Sequence, residues 1–378
     1  MKRTVDVVVV GAGVIGLAIA REAARAGMSV RLFDRGEPGG EASSASAGIL
    51  AAQLEAHHPG PILPLALASR ALYPGLVAAL REESGVDVDL RRDGALVVAR
   101  GAAMADELER TFQFQRGRGL AVERLDAPGL RRAEPALTEA AVFGLRLPDE
   151  ASLDPVLLVR ALRLAAERAG VELTTGTEVA GLSIAAGRVT GVRSAAGADH
   201  PAGTVVIAAG AWSGALSGPG IVPPPSEPVR GQIVAFAAPN LIRHVLHGGT
   251  CYLVPRSDGR VLAGSTMERA GFDRRVTAEA LAHLAAAALA LVPGLAPASF
   301  HRAWAGLRPA APDGLPVIGT AATPGLLYAC GHLRNGIVLA PFTARAIVGM
   351  LRGEVDVVDG IDLGPFSPLR FGGAQTRT

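Results

Sequence analysis

The chain has 378 residues, nearly half of them apolar, with 47 glycines and 26 prolines, which is length and apolar content enough for two domains or one interleaved pair. Thirty-seven Lys and Arg against 35 Asp and Glu leave a formal charge of +2 with both signs interspersed, so no basic stripe marks a nucleic-acid partner. Two cysteines, Cys251 and Cys330, are too few for a disulfide framework and match no metal-ligand spacing, so no metal is expected and a reducing cytoplasm is the expected compartment.

From the N-terminus, Lys2 and Arg3 followed by an apolar run to Ala20 have the outline of a leader sequence. Asp6 interrupts that run, and Gly11, Gly13 and Gly16 have another use. Val5 to Val10 is a β-branched run broken only by Asp6, as in a parallel strand covered on both faces. Ile15 to Ala26 reads as an alanine-rich helix closed by Gly27, and Ser29 to Phe33 as a second strand ending at Asp34. Pro155 to Ala169 is a helix stopped by Gly170, and Val171 to Thr175 a strand. Next comes a hairpin, Glu178 to Ala185 and Arg188 to Ser194, and then a buried strand, Thr204 to Ala209. Pro223 to Pro225 marks a boundary. Gln232 to Phe236, Tyr252 to Pro255 and Val261 to Ser265 alternate as antiparallel strands with loop connections. Leu281 to Val292 and Ile337 to Leu351 are apolar but too short to span a bilayer, and both read as core helices; no membrane partner is expected. Leu326 to Ala329 returns to the α/β pattern, and Gly372 to Thr378 is a short polar tail.

Gly11-Ala12-Gly13-Val14-Ile15-Gly16 is a GxGxxG placed between a buried strand and a helix, with Asp34 at the end of the following strand. Each glycine has a physical task there: Gly11 the tight turn, Gly13 close approach to a pyrophosphate, Gly16 close packing of helix on strand. Unpaired N–H groups and the helix dipole attract phosphate, while Asp34 would accept a ribose hydroxyl and repel a 2′-phosphate. The motif alone does not choose between FAD and NAD. Gly39 to Gly48, rich in small residues and hydroxyls, is able to approach a long extended ligand.

GAGVIG, SSASAGIL, RGQIVAF at Arg230 to Phe236, CYLVPR at Cys251 to Arg256, GSTMERAGFD at Gly264 to Asp273, WAGLRPAAPDGLPVIG at Trp304 to Gly319 and GHLRNGIVLAP at Gly331 to Pro341 together resemble the D-amino-acid-oxidase-like flavoproteins. Within them the chain is most similar to the glycine oxidases of thiazole biosynthesis. The resemblance implies an α/β, Rossmann-like FAD-binding domain (1–88, 149–220 and 302–372) interleaved with an antiparallel-sheet substrate domain (89–148 and 221–301). It implies FAD in an extended pose, held by Gly11, Gly13, Val14, Ile15, Gly16 and Asp34, by Ser43, Ser44, Ala47 and Gly48 near the flavin, by Val179 at the adenine end and by Gly210. Gly331, His332, Arg334, Asn335, Gly336 and Ile337 would bring the start of the last helix to the flavin, where hydride acceptance builds negative charge. Two departures stand out. Asp34 replaces the usual glutamate, which makes a water-mediated ribose contact the expectation. The cysteine that holds FAD covalently in sarcosine-oxidase relatives has no counterpart in Leu307 to Asp313, so FAD is expected to be noncovalent.

An amino-acid substrate presents a carboxylate, whose best planar partner is a bidentate arginine. Since every basic residue but Lys2 is arginine, only motif position singles any out. The family pattern assigns the carboxylate to Arg308, a hydroxyl donor to Tyr252 and a pocket lining to Arg334, with Met267 and Ala47 as further wall. No acid or base is required, and His244, His247, His283 and His301 have no carboxylate at a telling spacing. The implied reaction is oxidative deamination of glycine, with sarcosine and small D-amino acids as further substrates, O2 as acceptor, H2O2 as product and thiazole synthesis as the use; a homo-oligomer is expected. The alternatives are a D-amino acid dehydrogenase passing electrons to a quinone, a flavoprotein modifying transfer RNA, and a binding module that keeps FAD for structure only.

Overall fold

The computed structural model describes residues 4–354 and 357–372. Lys2, Arg3 and the tail beyond Gly372 lie outside them. Within that range the β-branched run at the start forms the strand Val5–Val10, central in a sheet flanked on one side by Val30–Phe33 and Glu172–Thr174 and on the other by Asp199–Ile207, Leu326–Cys330 and Val317–Thr320. The first four of these neighbours pair in parallel, as expected of strands buried on both faces; Val317–Thr320 adds an antiparallel edge. The predicted hairpin is present as Val179–Ala185 and Arg188–Ser194, turning at Ala186 and Gly187 and pairing with Asp199–Ile207. Helices Val14–Arg25, Pro155–Arg168 and Gly336–Leu351 pack together with the sheet in one core containing Leu17, Ile19, Leu162, Phe342 and Ile347.

A second sheet runs in the order Ser299–Ala310, Glu227–Ala237, Arg260–Gly264, Tyr252–Pro255, Val245–His247, Ala95–Ala99, Phe143–Leu147, Glu123–Asp126. It is antiparallel except where Val245–His247 meets Ala95–Ala99 in parallel. The strand Ser299–Ala310 pairs along its length with Glu227–Ala237, so its ladder carries residues 302–310 into this sheet rather than the first.

The helix Ile62–Ser84 has no counterpart in the sequence reading, because Pro64, Pro74 and Gly75 punctuate it. It is 23 residues long and, by length and composition, is the one described helix apolar enough to cross a membrane. Leu65, Ala66, Tyr73 and Leu80 bury one of its faces in the core of the first sheet.

Candidate active site

A cavity of about 550 Å3 is lined by residues of both sheets, within the ~300–1,000 Å3 typical of small-molecule sites. Gly11, Gly13, Val14, Ile15 and Asp34 line it, as do Ser43, Ala47, Gly48, Val179 and Gly210, then Tyr252, Met267 and Arg308, and finally His332, Arg334, Gly336 and Ile337. Four expected residues do not: Gly16, Ser44, Gly331 and Asn335. Gly16 has a packing task instead, since a Cβ there would lie 1.8 Å from the Gly11 carbonyl oxygen. Asn335 is the N-cap of the last helix without a side-chain cap bond, and Ser44 belongs to the short helix Ala42–Ala45.

In the glycine-rich turn, Gly13 is the N-cap of Val14–Arg25 and offers no side chain to the helix end. Ser43 supplies the oxygen instead, its Oγ accepting from Val14 N–H at 2.9 Å. A Cβ on Gly13 would stand 3.1 Å from that same Oγ, a tight approach that narrows the gap between helix end and serine. Asp34 accepts from Ala12 N–H at 2.7 Å through Oδ2 and from Gly36 N–H at 2.8 Å through Oδ1. The aspartate therefore braces the turn while lining the cavity. A helix end whose own cap carries no side chain, a serine hydroxyl at that end and an acidic group just past the next strand fit the pyrophosphate and ribose of a dinucleotide.

Beyond the turn, Trp304 Nε1 donates to the Ala45 carbonyl at 2.9 Å, and Arg256 Nη2 donates to the Ala47 carbonyl at 2.5 Å. The second sheet thus fixes the small-residue segment of the first. A strap after Arg260–Gly264 makes a further crossing. Phe272 packs against Trp212 with ring centroids 5.1 Å apart, Arg35 lies over the same indole at 3.8 Å, and Glu41 pairs with both Arg274 and Arg35. The buried Arg230 anchors this strap through Glu268 and Asp273.

Arg308 projects from Ser299–Ala310. Its Nη1 donates to the Thr266 carbonyl at 3.0 Å and its Nη2 to Ser265 Oγ at 2.6 Å. The guanidinium lies flat against Gly231, where any Cβ would come within 2.1 Å of Nη1. Tyr252 hydrogen-bonds Ser265 and lies beside Arg308; burial pushes its phenol up, against the pull of that cation. Arg308 is drawn down chiefly by burial yet, as an arginine, keeps its charge. Gly231→Ala should therefore keep the fold while weakening the binding of a small carboxylate such as glycolate at least ~10-fold, as expected for overpacking of a fixed group; a Kd within twofold of the parent's would show that Gly231 does not set the guanidinium. Gly231 was not singled out in the sequence because its reason lies in a residue of another strand.

Arg334 pairs with Glu55 at 2.9 Å where the cavity meets solvent, and both line it. Met267 lines the cavity with half its surface exposed. His332 is buried, shares a hydrogen bond with Thr343 Oγ1 at 3.1 Å, and is pulled down to about 3 by burial, so it is neutral. His244, with no carboxylate at a telling spacing in the sequence, has one from far along the chain: Glu134 Oε2 sits 3.1 Å from its Nδ1. Both cysteines line the cavity, but burial pushes each thiol up to about 12, which disfavours a thiolate that could attack a flavin. Among the described residues no group of three or more His, Cys, Asp or Glu is placed to hold a metal.

The sequence profile of the family described as FAD dependent oxidoreductase matches residues 6–350. The glycine oxidase of Geobacillus kaustophilus is 38% identical over 374 residues, covering 98% of each chain. A crystal structure of glycine oxidase from Geobacillus kaustophilus superposes with a TM-score of 0.93 at 37% identity, covering 98% of this chain and 99% of that one. The bifunctional protein ThiO/ThiG of Nostoc sp. is 34% identical over 92% of this chain, which spans 53% of that protein.

Proposed function

From the premise that the chain belongs to the FAD-dependent oxidoreductase family, as an FAD-dependent amino acid oxidase, we propose that its substrate is glycine. The reading extends to sarcosine and small D-amino acids more weakly, with the imine hydrolysing to glyoxylate and ammonia and with thiazole synthesis as the use. Similarity to the ThiO/ThiG protein supports that last assignment.

The observation that carries the reading is Arg308, a fixed guanidinium lining the cavity with a tyrosine hydroxyl beside it. Held at the turn of Gly11 and Gly13, with Ser43 and Asp34 beside it, FAD would supply the acceptor for a hydride from the substrate α-carbon and a route for the electrons to O2, giving H2O2. Arg308 holds the carboxylate by a bidentate, charge-assisted contact, and Tyr252 adds one hydroxyl donor. Together they orient the α-carbon. The N-terminus of Gly336–Leu351 brings Gly336 and Ile337 to the cavity, where its partial positive charge stabilises negative charge without a catalytic side chain. Neutral His332 contributes no charge there. An amine arriving unprotonated needs no base.

A panel of glycine, sarcosine, D-alanine, D-proline and D-phenylalanine, read by oxygen uptake with an artificial acceptor in parallel, tests this. Glycine and sarcosine should give the highest kcat/KM. One methyl group changes apolar binding by only about 1–3 kcal/mol, so D-alanine should stay measurable. Turnover of D-phenylalanine with none of glycine would overturn the assignment, and reduction by glycine without oxygen uptake would instead mark a dehydrogenase.

A further inference from the structure

Beneath the cavity's solvent edge, the turn at residues 52–56 is held by a buried polar network that the chemistry above does not use. Glu150 is fully buried, and its Oε1 accepts from Ala52 N–H at 3.1 Å, Gln53 N–H at 2.8 Å and Arg70 Nη1 at 2.7 Å. The same Arg70 nitrogen donates to Gln53 Oε1 at 3.1 Å. From the helix Ala102–Arg116, buried Gln115 donates through Nε2 to the Gln53 carbonyl at 2.9 Å and the Ala56 carbonyl at 3.1 Å. The backbone on both sides of Leu54 and Glu55 is thus fixed from below by two elements. Leu54 and Glu55 themselves line the cavity, and Glu55 reaches Arg334.

The cost of this arrangement is unusual. Glu150 Oε2 is buried with no hydrogen-bond partner among the described residues, and burial pushes the carboxyl up to about 7, against the pull of Arg70 and the two backbone donors. A buried carboxylate with one bare oxygen is a poor way to gain stability, since an apolar group of similar shape does as well or better. What Glu150 does supply is one acceptor atom on which three donors converge, which fixes where the turn sits.

We propose that Glu150, with Arg70 and Gln115, is a positioning residue that sets the size of the substrate pocket by fixing the turn that carries Leu54 and Glu55 into the cavity. This rests on the reading of that cavity as the site of a small amino acid. Loosening the turn frees Glu55 from Arg334 and lets the wall recede, so small ligands lose contact while larger ones lose less.

The test uses the FAD-loaded Glu150→Gln enzyme, with Gln115→Met as a second variant that leaves Glu150 in place. Two readouts are taken: hydrogen exchange of the 51–57 peptide, and titration of the flavin spectrum with glycolate and with N-benzoylglycine. Exchange should rise at least ~10-fold in one or both variants as the turn opens locally. The glycolate Kd should rise at least ~5-fold while that of N-benzoylglycine changes less than about twofold, a selectivity that mere destabilisation would not produce. Unchanged exchange in both variants, or equal weakening of both ligands, overturns the proposal. A parent flavin spectrum indifferent to glycolate would overturn the carboxylate pocket itself, whereas a parent that binds glycolate yet fails to oxidise glycine overturns only the substrate assignment.

Discussion

Arg308→Ala should leave the protein yellow and folded and lower kcat/KM for glycine at least ~100-fold, the loss of about 3 kcal/mol expected when a carboxylate loses a charge-assisted bidentate partner in a desolvated pocket. The parent side chain is tethered on three sides: Gly231 lies against one face, and Thr266 and Ser265 take one donor from each terminal nitrogen. Its remaining donors are those left for a ligand, and alanine removes them without leaving an unpaired carboxylate behind. Tyr252→Phe should cost less, because it deletes a single neutral donor worth about 1 kcal/mol. Steady-state kinetics with a glycolate titration decide the matter; unchanged glycolate affinity in Arg308→Ala would place the carboxylate elsewhere.

Gly13→Val should abolish retention of FAD through gel filtration. The reason is steric and local. Gly13 caps the helix Val14–Arg25 with no side chain, and Ser43 Oγ stands 3.1 Å from where a Cβ would be, so the two γ-methyls of valine would occupy the space between helix end and serine that a pyrophosphate needs. The backbone at Gly13 is in an ordinary extended conformation, so the substitution strains the fold little. The expected product is a folded, colourless apoprotein, identified by an unaltered far-UV spectrum and the absence of absorbance near 450 nm; a fully yellow variant would mean that the phosphates lie elsewhere.

These two residues were legible in the sequence for different reasons. Gly13 announces itself by local pattern, a glycine between a buried strand and a helix, and Arg308 by its place in a longer family motif. What stayed hidden depends on contacts between segments far apart in the chain. Gly231 is needed because of Arg308, His244 has its carboxylate in Glu134, and Glu55 finds Arg334 only once the last helix has docked. Helix Ile62–Ser84 was hidden by its own prolines: Pro74 interrupts the local bonding that periodicity would reveal, while burial of Leu65, Tyr73 and Leu80 makes the helix hold regardless. The antiparallel character of the second sheet was readable from alternation, but its one parallel junction was not, because the pairing of Val245–His247 with Ala95–Ala99 is a choice of partner, and side-chain pattern does not encode it.

Trp304 grips the carbonyl of Ala45, Arg256 that of Ala47, and Arg274 the side chain of Glu41. Trp304 reaches from the second sheet, Arg256 from the end of its strand Tyr252–Pro255 and Arg274 from the strap, all to one short stretch, residues 41–47, most of which lines the cavity beside the glycine-rich turn. That stretch acts as a keystone under heat. Melting of the second sheet would release it and open the wall beside the nucleotide site, so loss of flavin and loss of structure are expected to coincide in one thermal transition, as flavin fluorescence and the far-UV signal followed together would show.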